Sequence, residues 1–180
     1  RNVTGVQTCA LPICDLYGQV PFRATTDGPD AIPKVYTRAQ AVDAIIADLD
    51  AAIAALPNYS VVGKRIASKQ AAQFLKAKVL LNKAVYTQDP SKPAGPFTFN
   101  AADMNTVIAL ADAIKASGSF SLSANYWDNF KWDNASKSSE IILSRSNASG
   151  INVTHYTYMG FHYNQTPSGW NGFKIGRAHV

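Results

Sequence analysis

The stretch from Tyr36 to Tyr86 constrains this chain more than any other, because it reads as two helices joined by a turn. Val42, Ile45, Ile46, Leu49, Ile53 and Leu56 recur at helical spacing, which gives the first helix one apolar face and leaves Asp43 and Asp50 away from it. Thr37 and Gln40 fit a capping box, and Pro57 ends the helix. In the second helix Ser68 is the N-cap, and Lys69, Gln73, Lys76 and Lys83 form a narrow polar stripe. Ala71, Ala72, Phe74, Leu75, Ala77, Val79, Leu81, Ala84 and Val85 fill the remaining circumference. A helix apolar over most of its surface packs between neighbours, and its alanines let backbones approach closely. The expected fold is mainly α: tetratricopeptide-like stacked helical hairpins with long irregular loops.

Further elements fit that scheme. Asn100 caps a third helix, Ala101–Ser117, with Met104, Val107, Ile108, Ala111 and Ile114 on one face and Gly118 as its stop. Asp15–Tyr36 is rich in Pro and Gly with little periodicity, so it reads as an extended loop. Within it Pro21 forces Val20 extended, and Phe22 is expected to plug the helical layer. Gln88–Phe99 is a second proline-rich connection, and Glu140–Ser144 reads as a short buried strand or extended segment. Helices starting near residues 38, 68 and 101 have the spacing of successive helices in a repeat stack.

The two ends carry a different signature. Thr8–Ile13 can be encoded ACG TGT GCT CTT CCG ATC, and the reverse complement of that string with one following T encodes, in a shifted frame, Ile175–Val180. Opposite strands of one oligonucleotide at the two ends are what a sequencing read with adapters produces. Residues 1–14 and 175–180 are therefore read as translated adapter, and residues 15–174 as an internal piece of a longer protein. On that reading neither Cys9 nor Cys14 supports a disulfide, metal or redox argument. Without Arg1 and Arg177 the formal charge falls from +5 to +3, ordinary for a soluble domain. There is no apolar run of membrane-spanning length, no basic tract and no Gly-rich phosphate loop, so nucleic acid is not an expected partner.

Several motifs in order resemble one family. Thr37–Pro57, Gly63–Ala72 and Ala77–Leu81 are similar to "R-(A/T)-x-(A/E)-V-x-D-A-I-I-A-D-L-D-x-A-I-A-x-L-P", "G-x-R-(A/I)-x-S-K-x-A-A" and "A-K-V-x-L" of the SusD/RagB family, nutrient-binding outer-membrane lipoproteins of Bacteroidetes. Tyr17, Gly18, Val20, Pro21 and Phe22 resemble its "Y-G-D-V-P-(L/F)", with Gln19 in place of the acidic residue. Gly118, Phe120, Leu122, Tyr126, Phe130, Asp133, Asn134, Ser139, Glu140, Ile141 and Ile142 follow a further family pattern, in which Leu143 replaces the usual aromatic. Ser168–Phe173 resembles its "G-W-N-G" turn. The resemblance implies a non-catalytic protein that captures oligosaccharide, or peptide in some members, and delivers it to a SusC-like TonB-dependent transporter. It also implies a lipid anchor upstream of this fragment, on the outer face of the outer membrane.

The tail, Gly150–Lys174, changes character: aromatics and amides crowd together without helical period. Sugars are polar at the rim and apolar on their C–H faces, so a site that holds them in water offers aromatic platforms beside amide or charged groups. Tyr156, Tyr158, Tyr163, Asn164, Trp170 and Asn171 supply that inventory and are the expected ligand-binding residues. Phe130 is assigned to the core, whereas sequence leaves the faces of Trp127 and Trp132 open. His155 and His162 have no acidic or thiol partner at ligand spacing, so no metal is expected, nor a cofactor. Asp43, Asp48 and Asp50 form no facing pair for acid and base work, and nothing resembles a triad, so no catalysis is expected. Arg65 and Lys69 oppose the dipole of the second helix, and at least one is expected to pair with a carboxylate, Asp48 being the candidate. The five Asn-X-Ser/Thr sites within residues 15–174, at Asn58, Asn134, Asn147, Asn152 and Asn164, are read as coincidence.

Overall fold

The computed structural model describes residues 3–24, 26–28, 30–131 and 133–144, with only the backbone considered for 3–9 and 135. All of these lie within one compact unit that ends at Ser144. It is mainly helical. In order come α1 (Val3–Tyr17), β1 (Gln19–Phe22), β2 (Lys34–Thr37), α2 (Arg38–Ala55), α3 (Tyr59–Val62), α4 (Lys69–Leu81), α5 (Lys83–Tyr86), α6 (Ala101–Ala116), a 3-10 turn (Tyr126–Phe130) and α7 (Asn134–Lys137).

The capping signals act as read. Gln40 N donates to Thr37 Oγ1 at 3.4 Å and Thr37 N donates to Gln40 Oε1 at 3.1 Å, closing the box at the start of α2. Ala71 N donates to Ser68 Oγ at 3.3 Å, and Ala102 N to Asn100 Oδ1 at 2.8 Å. On α2 the residues Ala41, Val42, Ile45, Leu49 and Ala52 are buried, with Ile46, Ile53 and Leu56 packed at the edge of the same cluster. Ala72 and Val79 of α4 meet them, and α4 packs against both α2 and α6. Ala71 is 9 % exposed and Ala72 1 %, so this part of the small-residue seam is covered, while Ala77 and Ala84 are half-buried.

The structure departs from the sequence reading at four points. The Asp15–Tyr36 loop is instead partly ordered. Its first residues finish α1, and β1 pairs antiparallel with β2 in the register Gln19↔Thr37 to Phe22↔Lys34. Val20 enters the core, while Phe22 stacks on Tyr36 with ring centroids 4.8 Å apart, a diagonal cross-strand pair rather than a plug. Second, the α4 helix stops early. Asn82 Nδ2 donates to Lys78 O at 3.0 Å, and Asn82 leaves helical geometry at φ −106, ψ 9, so Lys83–Tyr86 forms a separate turn. An amide that takes a preceding carbonyl competes with the helix's own ladder. Third, Gln73 belongs to the buried face of α4 with Gln70, and Phe74 and Leu81 lie on the wet face, 52 % and 49 % exposed. Gln70 is tolerated inside because Tyr59 N donates to its Oε1 at 2.8 Å and its Nε2 donates to Asn58 Oδ1 at 3.2 Å. Fourth, α6 buries Ile114 and half-buries Met104 and Val107, but Ile108 and Ala111 are exposed. The face that meets α4 is therefore narrower than the apolar stripe.

α1 runs through the boundary expected at residue 14, and Leu11 and Cys14 belong to the core with Leu49 and Val42. A leucine and a cysteine one turn apart bury against any apolar helix, so this packing does not bear on where the segment came from. Arg38 joins the layers here: its guanidinium donates at 3.4 Å to Asp15 O near the end of α1 and at 3.4 Å to Tyr86 O at the end of α5.

Candidate functional site

The chain between α6 and Ser144 builds the most distinctive surface of the described residues. Gly118, at φ 67, turns the chain out of α6. Phe120 then packs on Tyr59 of α3, ring centroids 4.6 Å apart. Asn125 caps the 3-10 turn by accepting from Trp127 N at 3.1 Å. Because the turn is short and tightly wound, Tyr126, Trp127 and Phe130 fall on its outer side, 65 %, 70 % and 64 % exposed. Trp127 meets both neighbours edge to face, with centroids 5.7 Å from Tyr126 and 6.4 Å from Phe130, while Tyr126 and Phe130 lie tilted at 5.2 Å. Phe130 is thus a surface residue and not the core residue expected. The inward position is taken by the amide of Asn129.

Asn129 is the centre of a polar knot. Its Oδ1 accepts from Ser123 Oγ at 3.0 Å and from Ser138 Oγ at 2.5 Å, and its Nδ2 donates to Glu140 Oε1 at 3.0 Å. The same carboxylate oxygen accepts from Ser123 N at 2.8 Å, and Ser138 Oγ accepts from Glu140 N at 3.1 Å. Asn134 Nδ2 donates to Asn129 O at 2.9 Å, which ties α7 to the turn. The backbone donation from Ser123, reinforced by the Asn129 amide, holds the Glu140 carboxyl below the usual carboxylate range. On the outer flank Lys131 pairs with Asp128 at 2.5 Å, and the carboxylate pushes the lysine above its usual range. Glu140–Ser144 is accordingly a half-buried irregular segment rather than a strand, fixed by Ser144 N donating to Lys64 O at 2.7 Å.

A groove of about 320 Å³ lies along α2, α4, α5 and α6. Its charges are largely matched: Lys76 pairs with Asp50, and Lys83 with Asp103 at 3.3 Å. Asp48 enters none of the ion pairs among the described residues, and neither Arg65 nor Lys69 does. Asp48 and Arg65 are exposed and Lys69 is half-buried, and a charge in contact with water loses little by lacking an ion-pair partner. No group of three His, Cys, Asp or Glu among the described residues is arranged to hold a metal.

The expected ligand residues Tyr156, Tyr158, Tyr163, Asn164, Trp170 and Asn171 lie outside the described residues, as do Trp132, His155 and His162. What the sequence reading missed is the grouping of Tyr126, Trp127 and Phe130. Its one local signal is Asn125, a cap two residues ahead of Trp127. No family model matches the chain, and no curated protein does. Among the described residues, no helix is long and apolar enough to cross a membrane.

Proposed function

We propose that this chain is part of a SusD/RagB-like capture protein that binds oligosaccharide without cleaving it and passes it to a SusC-like TonB-dependent transporter. The carrying observation is the exposed ring cluster of Tyr126, Trp127 and Phe130, standing among Asn125, Asp128 and Lys131. Exposed aromatic surface of this kind marks an interaction site, and its polar surround suits a polyhydroxylated ligand. The ordered motifs from Tyr17 to Ile142 support the same reading, and α4 packing on both α2 and α6 is compatible with the tetratricopeptide-like stack it calls for. The tail aromatics Tyr156, Tyr158 and Tyr163, with Asn164, Trp170 and Asn171, would add further contacts. The lipid anchor would lie upstream, with residues 1–14 and 175–180 adapter-derived; resequencing the source DNA with adapters trimmed tests that part.

Covering one sugar face of about 40 Å² contributes about 1 kcal/mol at ~25 cal/mol per Å². Two or three rings, after the cost of association, give a Kd of order millimolar to tens of micromolar. A protein that must release its cargo needs no tighter grip. A helical scaffold for protein partners would instead present an apolar groove between helices, whereas the groove here is rimmed by Asp50, Asp103, Lys76 and Lys83. The test is calorimetric titration with soluble α- and β-glucan, xylan and mannan oligosaccharides, and with peptide mixtures, comparing wild type with Trp127→Ala. Saturable glycan binding weakened by the substitution supports the reading. Peptide binding alone moves it to the peptide-binding branch, and binding untouched by Trp127→Ala overturns the site.

A further inference from the structure

The ring cluster sits on only five residues of 3-10 helix, too little backbone to fix three large side chains by itself. What fixes it is the knot beneath. Glu140 accepts from Ser123 N and Asn129 Nδ2 with the same oxygen, and Asn129 Oδ1 accepts from the hydroxyls of Ser123 and Ser138. Three separate stretches of chain, 121–123, 125–130 and 138–140, converge on these two side chains. A second tie reinforces them: Ser121 N donates to Ser139 O at 3.3 Å and Ser139 Oγ to Ser121 O at 2.7 Å. Asn129 occupies the position next to Phe130 and two from Trp127, so any shift of its amide is carried directly to the rings.

The geometry points to Glu140 as a positioning residue of the proposed glycan site, acting through Asn129 to hold Tyr126, Trp127 and Phe130 in the arrangement that receives a sugar ring. It touches no ligand itself. This rests on the reading of the ring cluster given above, and adds to it a dependence on charge. Ionised, the carboxylate is acceptor-only and takes both donors; protonated, it loses charge-assisted strength toward them. Other charged groups on the adjoining elements are Asp128 on the turn and Lys131 just after it, Asp133 and Lys137 at the start and end of α7, and Lys64, whose Nζ donates to Ser138 O at 3.5 Å. Of the carboxylates among them, only Glu140 lies in the knot.

The experiment compares wild type, Glu140→Gln, Glu140→Ala and Trp127→Ala in the full chain. It uses the same oligosaccharide panel and reads backbone amide protection by hydrogen exchange. Gln keeps a carbonyl acceptor at the Oε1 position but removes the charge, so Glu140→Gln should bind about two- to threefold more weakly than wild type at neutral pH, and Glu140→Ala about five- to tenfold more weakly with unchanged far-UV dichroism. The Ser123 amide of wild type should lose protection, corrected for intrinsic exchange, as pH falls through the carboxylate's titration, while in Glu140→Gln it should not. If Trp127→Ala weakens binding but Glu140→Ala does not, the positioning role is overturned and the glycan site stands. If Trp127→Ala has no effect, the site itself falls. If Glu140→Ala fails to fold, the exchange comparison decides: equal pH profiles for wild type and Glu140→Gln overturn the inference.

Discussion

Gly18 shows how much one residue can carry. It lies at φ 70, accepts the turn out of α1 by donating its N–H to Cys14 O at 2.9 Å, and an added Cβ would come within 3.0 Å of Arg38 Nε. Gly18→Ala should therefore destabilise the chain by about 1–2 kcal/mol, from the left-handed backbone and the displaced guanidinium together, measured by urea unfolding. At Leu49, fully buried, truncation to Ala should cost about 2–5 kcal/mol in the same assay. Burial pushes the Cys14 thiol up, and the opposing pull of Arg38 is smaller, so little thiolate is present at neutral pH. Alkylation of Cys14 should be slow in the folded chain and accelerate in urea, followed by mass spectrometry of the peptide. Residues whose partners are three positions away were legible in the sequence: Thr37 with Gln40, Ser68 with Ala71. Gln70 was not, because its partners Asn58 and Tyr59 belong to another element and the pattern of a helix does not encode what lies across from it.

At the scale of elements, α2 and the bounds of α6 are close to their reading, since a cap and a stop coincide at each. α4 ended before its apolar pattern did. The pattern continues through Ala84 and Val85, but Asn82 diverts the Lys78 carbonyl, and an amide side chain outweighs the small gain of one more helical turn. Asn82→Ala removes that diversion and supplies a better helix former. It should join α4 to α5, raise helical ellipticity and add about 0.5 kcal/mol of stability. The β1–β2 hairpin was missed for the opposite reason. A two-stranded ribbon with Pro21 inside it has weak local preference, and it forms because Val20 and Tyr36 reach the core laid down by α1 and α2. The ion pair of Lys76 with Asp50 crosses from α4 to α2 with the carboxylate 55 % exposed, and solvent screening keeps its worth under about 1 kcal/mol.

For the molecule as a whole, the helical scaffold was visible in periodicity, but the surface it displays was not. Phe130 carries an apolar side chain beside charges, and sequence alone gave no sign that Asn129 would take the inward place. Glu140 also gives the surface layer its own acid sensitivity. Its folded value is depressed below the ordinary 4.5, so its contribution is complete above that value and is lost as pH falls through the depressed one. Acid titration should accordingly loosen residues 121–140 before the α2–α4 core, which amide exchange resolved along the chain would reveal. Arg38 governs the opposite end. Its two outward N–H groups rest on carbonyls that close two different helices, Asp15 in the last turn of α1 and Tyr86 at the end of α5, where the peptide dipoles concentrate negative potential. A lysine there would keep the charge yet reach one carbonyl at a time. The order of disassembly would then change: the leading helix would peel away first, and a protease would find that junction while the remaining bundle was still intact.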